Sequence, residues 1–421
     1  MSAIVGTAAL EQRLEKLTPP LAVVLPGGRR IGSRDAAVTL RLNDFSPLTH
    51  LLTGQIGKVG EDYVEGRLDI DGNMRDLMAL AAELMAGDPT RVDVAAAAAP
   101  VGWVRQLMLL ARSRARHRPE ADAEQIQFHY DVSDDFYALW LDPKRVYSCA
   151  YYRDAGMDLA AAQEAKLEHI CRKLMLKDGE RFLDIGAGWG GLLLHAAQHY
   201  GVQARGITLS RNQHAYVNRV IEERGLGGRV RMDLLDYRSL PDTEPFDKIA
   251  SVGMFEHVGR AQLPGYFAKV HRLLKPGGLL LNHGITAGGT RNHQLGSGLG
   301  DFMERYIFPG GELLHVSHVL GATSEAGLEA VDVESLRPHY AKTLWAWSDG
   351  LESHLAQARS VTSETVVRAY RLYLAGSASA FERAWISLHQ MLCARRTGDP
   401  GSGPMRGAQS AFPFNRSYMY R

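Results

Sequence analysis

Residues 181–191 read Arg181-Phe182-Leu183-Asp184-Ile185-Gly186-Ala187-Gly188-Trp189-Gly190-Gly191. Phe182, Leu183 and Ile185 form a short apolar run, bounded by Asp178-Gly179 before it and Gly186 after it, which predicts a buried strand. Gly186, Gly188 and Gly191 fall on a G-x-G-x-x-G spacing. A turn so built lets a ligand approach backbone where a Cβ would clash. Leu192–Tyr200 continues as a helix and stops near Gly201.

The glycine pattern alone fits NAD, FAD or S-adenosylmethionine. A dinucleotide site calls for an acidic residue at the end of the next strand to hold the ribose. That strand, Gln203–Leu209, ends in Ile207-Thr208-Leu209-Ser210 with no carboxylate. The tryptophan in the turn and Asp184 at the strand end suit a methyltransferase cofactor better.

From 181 to 286 predicted strands and helices alternate. The strands are Arg181–Ile185, Gln203–Leu209, Val230–Leu234, Phe246–Val252 and Leu279–His283; the helices are Leu192–Tyr200, Asn212–Arg224 and Leu263–Leu274. Such alternation predicts an α/β, doubly wound parallel sheet whose ligands sit at the C-terminal ends of the strands. Asp184, Gly186, Thr208, Asp236, Glu256 and His283 fall there. Upstream, strands are read at Leu21–Leu25, Ala37–Leu42 and Tyr63–Asp69, then helices at Met74–Met85, Val101–Arg116 and Ala161–Leu174. Downstream, Phe302–Phe308 reads as a short helix, and Lys342–Leu355, Ser363–Ala375 and Ala378–Leu392 as three more.

A chain of 421 residues has room for two or three domains of roughly 150 residues each. The reading gives an N-terminal accessory domain over 1–116, a polar linker over 117–125, a catalytic domain over 126–395 and a mobile tail over 396–421. Net charge is +1, so no global basic field points to nucleic acid. The basic run Arg112, Arg114, Arg116, His117 and Arg118 reads as a solvated face, or as a contact with anionic lipid. The first residues lack a basic region followed by a long apolar core, so no signal peptide is expected; no apolar run approaches roughly 20 residues, and the three cysteines, Cys149, Cys171 and Cys393, form no C-x-x-C pair. A reducing cytoplasm is the expected setting. No metal ligands are assigned.

Five stretches then agree: Tyr147-Ser148-Cys149-Ala150-Tyr151-Tyr152, the glycine turn at 183–191, Ile207-Thr208-Leu209-Ser210-Arg211-Asn212-Gln213, Ser251-Val252-Gly253-Met254-Phe255-Glu256-His257-Val258-Gly259, and Arg305-Tyr306-Ile307-Phe308-Pro309-Gly310-Gly311. In order and spacing they resemble the cyclopropane-fatty-acyl-phospholipid synthase family, with its mycolic-acid relatives. The likeness is strong over about residues 126–395 and loose over about 20–115. It implies a Rossmann-like class I methyltransferase domain with a small α+β N-terminal domain of lipid-binding type. It also implies addition of the sulfonium methyl of S-adenosylmethionine to a cis double bond of a phospholipid acyl chain, with bound bicarbonate as base. Relatives that stop at a methyl branch or a methylene group are the first alternative, and a non-catalytic lipid-binding protein the second.

By match to the family's motifs, bicarbonate is held by Cys149, Glu256, His283, the backbone at Ile285, and Tyr340 in His339-Tyr340-Ala341-Lys342. The cofactor is held by Tyr147, Ser148, Asp184, Gly186, Gly188, Thr208, Ser210, Gln213 and Asp236. Plainer readings stand beside these: Asp236 as a helix cap, His283 as a satisfied core histidine, and the aromatic rings of 128–152 as packing. The chain departs from the family at Ala187 and Ser377, where cysteine is usual, and in the long glycine-rich loop Ala287–Gly300. A transient, peripheral meeting with the inner face of the phospholipid bilayer and a homodimer are further expectations.

Overall fold

The computed structural model describes residues 16–85, 89–90, 133–290, 295–396, 412–413 and 415–420, together with Glu11 and Leu14. The basic helix read over Val101–Arg116, the linker at 117–125 and the rings of Phe128, His129 and Tyr130 lie outside the described residues.

The first layer is a four-stranded sheet. It comprises β1 (Leu21–Val24), β2 (Arg30–Gly32), β3 (Val38–Leu42) and β4 (Leu68–Gly72), in the order β2-β1-β3-β4. Helices α1 (Ser46–Thr53) and α2 (Ile56–Val64) cross from β3 to β4, and α3 (Met74–Leu84) follows. The strand expected over Tyr63–Asp69 is thus the end of α2, a turn, and the start of β4. Tyr63 and Val64 are buried by α2, whose apolar residues recur at helical spacing from Ile56 onward. Asn73 caps α3 by accepting from the Asp76 amide at 2.8 Å.

The second layer holds seven strands. After α4 (Asp134–Ala138) and α5 (Leu159–Lys173) come β5 (Arg181–Ile185), α6 (Gly191–Tyr200), β6 (Gln203–Thr208), α7 (Arg211–Glu223), β7 (Val230–Leu234), β8 (Phe246–Val252), α8 (Leu263–Leu273) and β9 (Leu274–Ala287). The chain continues through α9 (Leu299–Tyr306), α10 (Val316–Glu325), β10 (Leu328–Ser335), α11 (Arg337–Ser353), α12 (Leu355–Val361), α13 (Glu364–Glu382) and β11 (Ile386–Arg395). The strand order is β10-β11-β9-β8-β5-β6-β7. Only β11 runs antiparallel to its neighbours. From β5 the chain winds outward to β6 and β7, then returns to β8 on the other side. That reversal opens a crevice at the C-terminal ends of β5 and β8.

One sequence reading is overturned here. Ala378–Leu392 is not a helix. Helix α13 runs on to Glu382, where Ala384 takes a left-handed φ of 57° and the Trp385 amide reaches back to the Ala380 carbonyl at 3.0 Å. This closes the helix as a glycine commonly would. Without a glycine the stop leaves no mark in the sequence, and β11 follows at once. Its register sets Gln390 opposite His283.

The two layers share a core. Leu21, Leu40, Leu68, Leu77 and Leu80 of the first layer belong to one buried cluster with Trp347 of α11 and Tyr370, Leu374 and Phe381 of α13. Charged groups reinforce the seam. Arg371 pairs with Glu352 at 2.6 Å and donates to the Tyr63 hydroxyl, and Arg368 reaches Asp69 at 2.7 Å. Gly57 of α2 lies so close to the start of α9 that a Cβ there would stand 2.0 Å from the Gly298 carbonyl oxygen.

The tail expected to be mobile beyond residue 396 is in part packed. Met419 is buried, its carbonyl stands 3.1 Å from His169 Nδ1, and Arg416 pairs with Asp332 at 3.3 Å.

Removing the Arg371 side chain leaves Glu352 without its partner at a half-buried seam. Arg371→Ala is expected to cost ~3 kcal/mol, the lower end for breaking a buried pair. Urea unfolding of the full chain checks it, and a loss under ~1 kcal/mol would place the seam's strength in apolar packing alone.

Candidate active site

The glycine turn sits at the C-terminal end of β5. Gly186 has φ 76° and Gly188 φ 56°, values that favour glycine. The amides of Gly186 and Ala187 both donate to the Ile207 carbonyl of β6 at 3.0 Å. A Cβ on Gly186 would come within 3.1 Å of Met254 Cγ. The turn borders a small cavity of about 150 Å³ lined by Tyr147, Ser148, Asp184, Gly186, Gly188, Thr208, Gln213 and Asp236. Eight of the nine cofactor residues expected from sequence are therefore together. Ser210 is absent from that lining: it caps α7, its hydroxyl accepting from the Gln213 amide at 3.3 Å. Asp236 combines both of its readings, since it lines the cavity and also caps a short turn by accepting from the Arg238 amide at 2.8 Å. Thr208 donates to Gln213 Oε1 at 2.8 Å, which fixes the side-chain amide and leaves its nitrogen to donate.

Sequence reasoning passed over Lys166. It rises from α5 into the same cavity, fully buried, and donates to Ser148 Oγ at 2.7 Å. Burial lowers its ammonium to about 8, and burial lifts the nearby Asp184 carboxyl to about 7 against the opposing pull of Lys166. Gln163, one turn earlier on α5, donates to the Val146 and Ser148 carbonyls at 3.1 and 2.9 Å. The segment 146–149 is thus held from below by α5. No sequence window marks the pair, since α5 also carries Glu164, Glu168, Arg172 and Lys173.

A second, larger cavity of about 990 Å³ meets the first at Tyr147, Ser148, Gly253 and His257, which line both. Cys149, Glu256, His283, Ile285 and Tyr340 all line it. Glu256 follows β8 in a tight turn. Its Oε1 accepts from the Ile285 amide at 2.6 Å, while the buried Oε2 has no hydrogen-bond partner. The Ile285 amide is therefore spent on Glu256. Burial lifts the Glu256 carboxyl to about 7. His283 Nδ1 lies 3.2 Å from the Gln390 amide nitrogen, a group that only donates, so Nε2 carries the ring proton. That Nε2 is buried and has no hydrogen-bond partner, and burial holds the imidazole neutral, well below its usual range. Cys149 is buried, and burial pushes its thiol far up, which leaves a weak donor and no nucleophile.

Away from this polar mouth the cavity turns apolar and runs into the first layer, where Leu21, Leu40, Ile70, Leu77, Met78 and Leu80 line it. The described part of the loop expected to differ, Ala287–Thr290 and Leu295–Gly300, borders it as well; residues 291–294 lie outside the described residues. No described helix is long and apolar enough to cross a membrane.

Strand order, switch-point crevice and glycine turn together define a class I S-adenosylmethionine-dependent methyltransferase. Residues 117–391 match the family model described as mycolic acid cyclopropane synthetase. A probable fatty acid methyltransferase of Pseudomonas putida is 40% identical over 98% of this chain and 100% of its own. The solved structure of the cyclopropane synthase MmaA2 from Mycobacterium tuberculosis is 37% identical, with a TM-score of 0.62, over 65% of this chain and 98% of that one. That of mycolic acid cyclopropane synthase CmaA1 complexed with SAH and CTAB is also 37% identical, with a TM-score of 0.61 over the same shares. The chain belongs to the mycolic acid cyclopropane synthetase family.

Gly186→Val is expected to abolish S-adenosylhomocysteine binding by calorimetry. The left-handed φ costs a side chain ~1–2 kcal/mol, which with the clash against Met254 forces the turn to rearrange and removes the backbone surface the cofactor would approach. Unchanged affinity would place the cofactor elsewhere.

The Glu256 carboxyl sets a pH dependence. The unfolded chain releases this proton near the ordinary value of 4.5 and the folded chain near 7. Stability is therefore lost as pH rises between these values. Glu256→Gln removes the effect, so the variant gains on the wild type between pH 5 and pH 8, by on the order of 3 kcal/mol at full ionisation. Urea unfolding at both pH values checks the sign, and a constant difference would contradict the raised carboxyl.

Proposed function

We propose that this chain is a cyclopropane-fatty-acyl-phospholipid synthase, adding a methylene derived from S-adenosylmethionine across the cis double bond of an unsaturated phospholipid acyl chain. The observation that carries this reading is the junction of the two cavities. The small cavity at the glycine turn, lined by Lys166, Asp184, Thr208, Gln213 and Asp236 among others, meets at Tyr147, Ser148, Gly253 and His257 a larger one that holds Glu256 and His283 and continues along the leucines of the first layer.

Bound at the glycine turn, S-adenosylmethionine supplies an electrophilic sulfonium methyl. The chain's residues answer the rest of the chemistry. Apolar walls accept the acyl chain and exclude water, so a carbocation formed on it is not trapped as an alcohol. Tyr147 and Tyr340 border the same cavity, and aromatic rings there add electron-rich surface that favours positive charge.

Bicarbonate fits the polar mouth. Two buried atoms there lack partners, the Glu256 Oε2 acceptor and the His283 Nε2 donor. A carboxyl raised to about 7 can also donate when protonated. Glu256 and His283 are the residues that would hold it, with Cys149 and Tyr340 bordering the same space and the Ile285 amide available only if Glu256 lets go. Its chemistry is that of a weak base for the proton lost on ring closure. The bilayer is met transiently, by a peripheral surface.

The full-length likeness to a protein named a probable fatty acid methyltransferase keeps a methyl-branched or methylene product as the second reading. Mass spectrometry separates the two, using vesicles of cis-monounsaturated phospholipid incubated with the chain and S-adenosylmethionine. A gain of one CH₂ that resists hydrogenation supports the ring. The same gain in a reducible chain supports the second reading, and no gain with cofactor bound overturns both. Glu256→Gln should retain S-adenosylhomocysteine affinity and lose turnover by ~10²-fold or more, the scale of removing an acid–base group. Near-normal turnover would sink the assigned role of Glu256.

A further inference from the structure

Helices α5 and α6 meet on the far side of the Lys166 cradle, and their contact holds a cluster that the methyltransferase reading does not use. Helix α6 presents His195 and His199, one turn apart, with ring centroids 4.4 Å from each other. Helix α5 presents Glu164 and Glu168, also one turn apart. The ligand atoms of Glu164, His195 and His199 all lie within 4.8 Å of one another.

The hydrogen bonds in this cluster decide which atoms are free. Glu168 is engaged: Oε1 accepts from Arg172 at 2.6 Å and from the Tyr200 hydroxyl at 2.8 Å, and Oε2 faces His195 Nε2 at 3.4 Å. A carboxylate only accepts, so His195 Nε2 carries the proton and Nδ1 keeps its lone pair. That Nδ1 is buried and has no hydrogen-bond partner. Only 4% of the His195 side chain is exposed, so water does not satisfy it from the surface. Glu164 Oε1 stands 3.9 Å away, beyond a hydrogen bond, while its Oε2 accepts from Lys144.

A lone pair facing a carboxylate oxygen across that gap is the arrangement a bridging cation needs. Zinc bonds of ~2.0–2.2 Å to imidazole nitrogen and carboxylate oxygen set ligands roughly 3.4 Å apart in a tetrahedron, so the 3.9 Å between Glu164 and His195 closes by about half an ångström, and a separation at the 4.8 Å limit of the three atoms by about 1.4 Å, within reach of side-chain rotation. The Glu168–His195 bond supplies the carboxylate partner that ligating histidines characteristically have on their other nitrogen. Two imidazoles and one carboxylate favour a borderline-soft divalent ion over magnesium or calcium.

We propose that Glu164, His195 and His199 form a binding site for a divalent first-row transition metal of the zinc class, with His195 oriented by Glu168. The ion ties α5 to α6. Helix α5 carries the Lys166 and Gln163 that hold Ser148, and α6 begins at the glycine turn, so the ion staples the two helices that border the cofactor cavity. The fourth position, on the exposed side beside His199, is open to water.

The test uses the full-length chain without an affinity tag. Zinc chloride is titrated calorimetrically into the wild type, His199→Ala and Glu164→Gln. Both changed side chains are on the surface, and circular dichroism checks that the variants are folded. One zinc per chain is expected in the wild type, with affinity at least tenfold lower in His199→Ala and lowered in Glu164→Gln. Zinc should raise the thermal midpoint of the wild type and not that of His199→Ala. Cobalt(II) gives a second readout, since a tetrahedral nitrogen–oxygen site produces visible absorption bands that His199→Ala should remove. Equal zinc affinity in all three proteins, or no zinc bound to the wild type, overturns the proposal.

Discussion

The Ile207 carbonyl accepts two amide hydrogens, from Gly186 and from Ala187. This pair of bonds pins the turn after β5 to the strand beside it, and much of the site follows from where the turn is held. It points the N-terminus of α6 into the crevice, where a helix end favours negative charge and hydrogen-bond acceptors. It also brings Asp184 over Lys166. Had Gly186 carried a side chain, Met254 would be pushed away, and with it the segment that delivers Glu256 two residues later.

From that fixed turn the site grows in two directions. Toward β6 and β7 it is small and takes Thr208, Gln213 and Asp236 into its lining, and toward the first layer it is large and lined by leucines. Glu256 and His283 line the large cavity, and each is left with one unpaired buried atom. Unpaired buried groups are costly in a folded chain and concentrate where a ligand completes them. The raised Glu256 carboxyl and the neutral His283 imidazole have the same cause, removal from water.

Much of this was legible in the sequence because it is local. The glycine turn, the apolar runs of β5 to β8, and the helices between them are each written in one short window. The residues expected to line the site follow, because a parallel sheet presents all its strand ends at one edge. Ser210 stands apart from the other expected cofactor residues because a serine that begins a helix and one that binds a ligand occupy the same position in the motif; here its hydroxyl is engaged by the Gln213 amide and it does not line the small cavity. The strand β11 was missed because α13 stops at a left-handed alanine with no glycine to announce it. With that strand went Gln390, the group that sets the His283 tautomer. Lys166 was passed over because its role depends on burial, which a sequence window does not display.

The shared core of the two layers has a further consequence. The buried polar groups and the leucines of the large cavity come from separate parts of the chain, Glu256 and His283 from the second layer and Leu77 and Leu80 from the first. A change from leucine to a smaller or larger residue in α3 alters the room available without disturbing a single polar contact at the mouth. Reach and chemistry can therefore diverge independently. A lineage carrying this architecture can retune the length of what it accepts by drift in one helix, while the catalytic end stays under its own constraint.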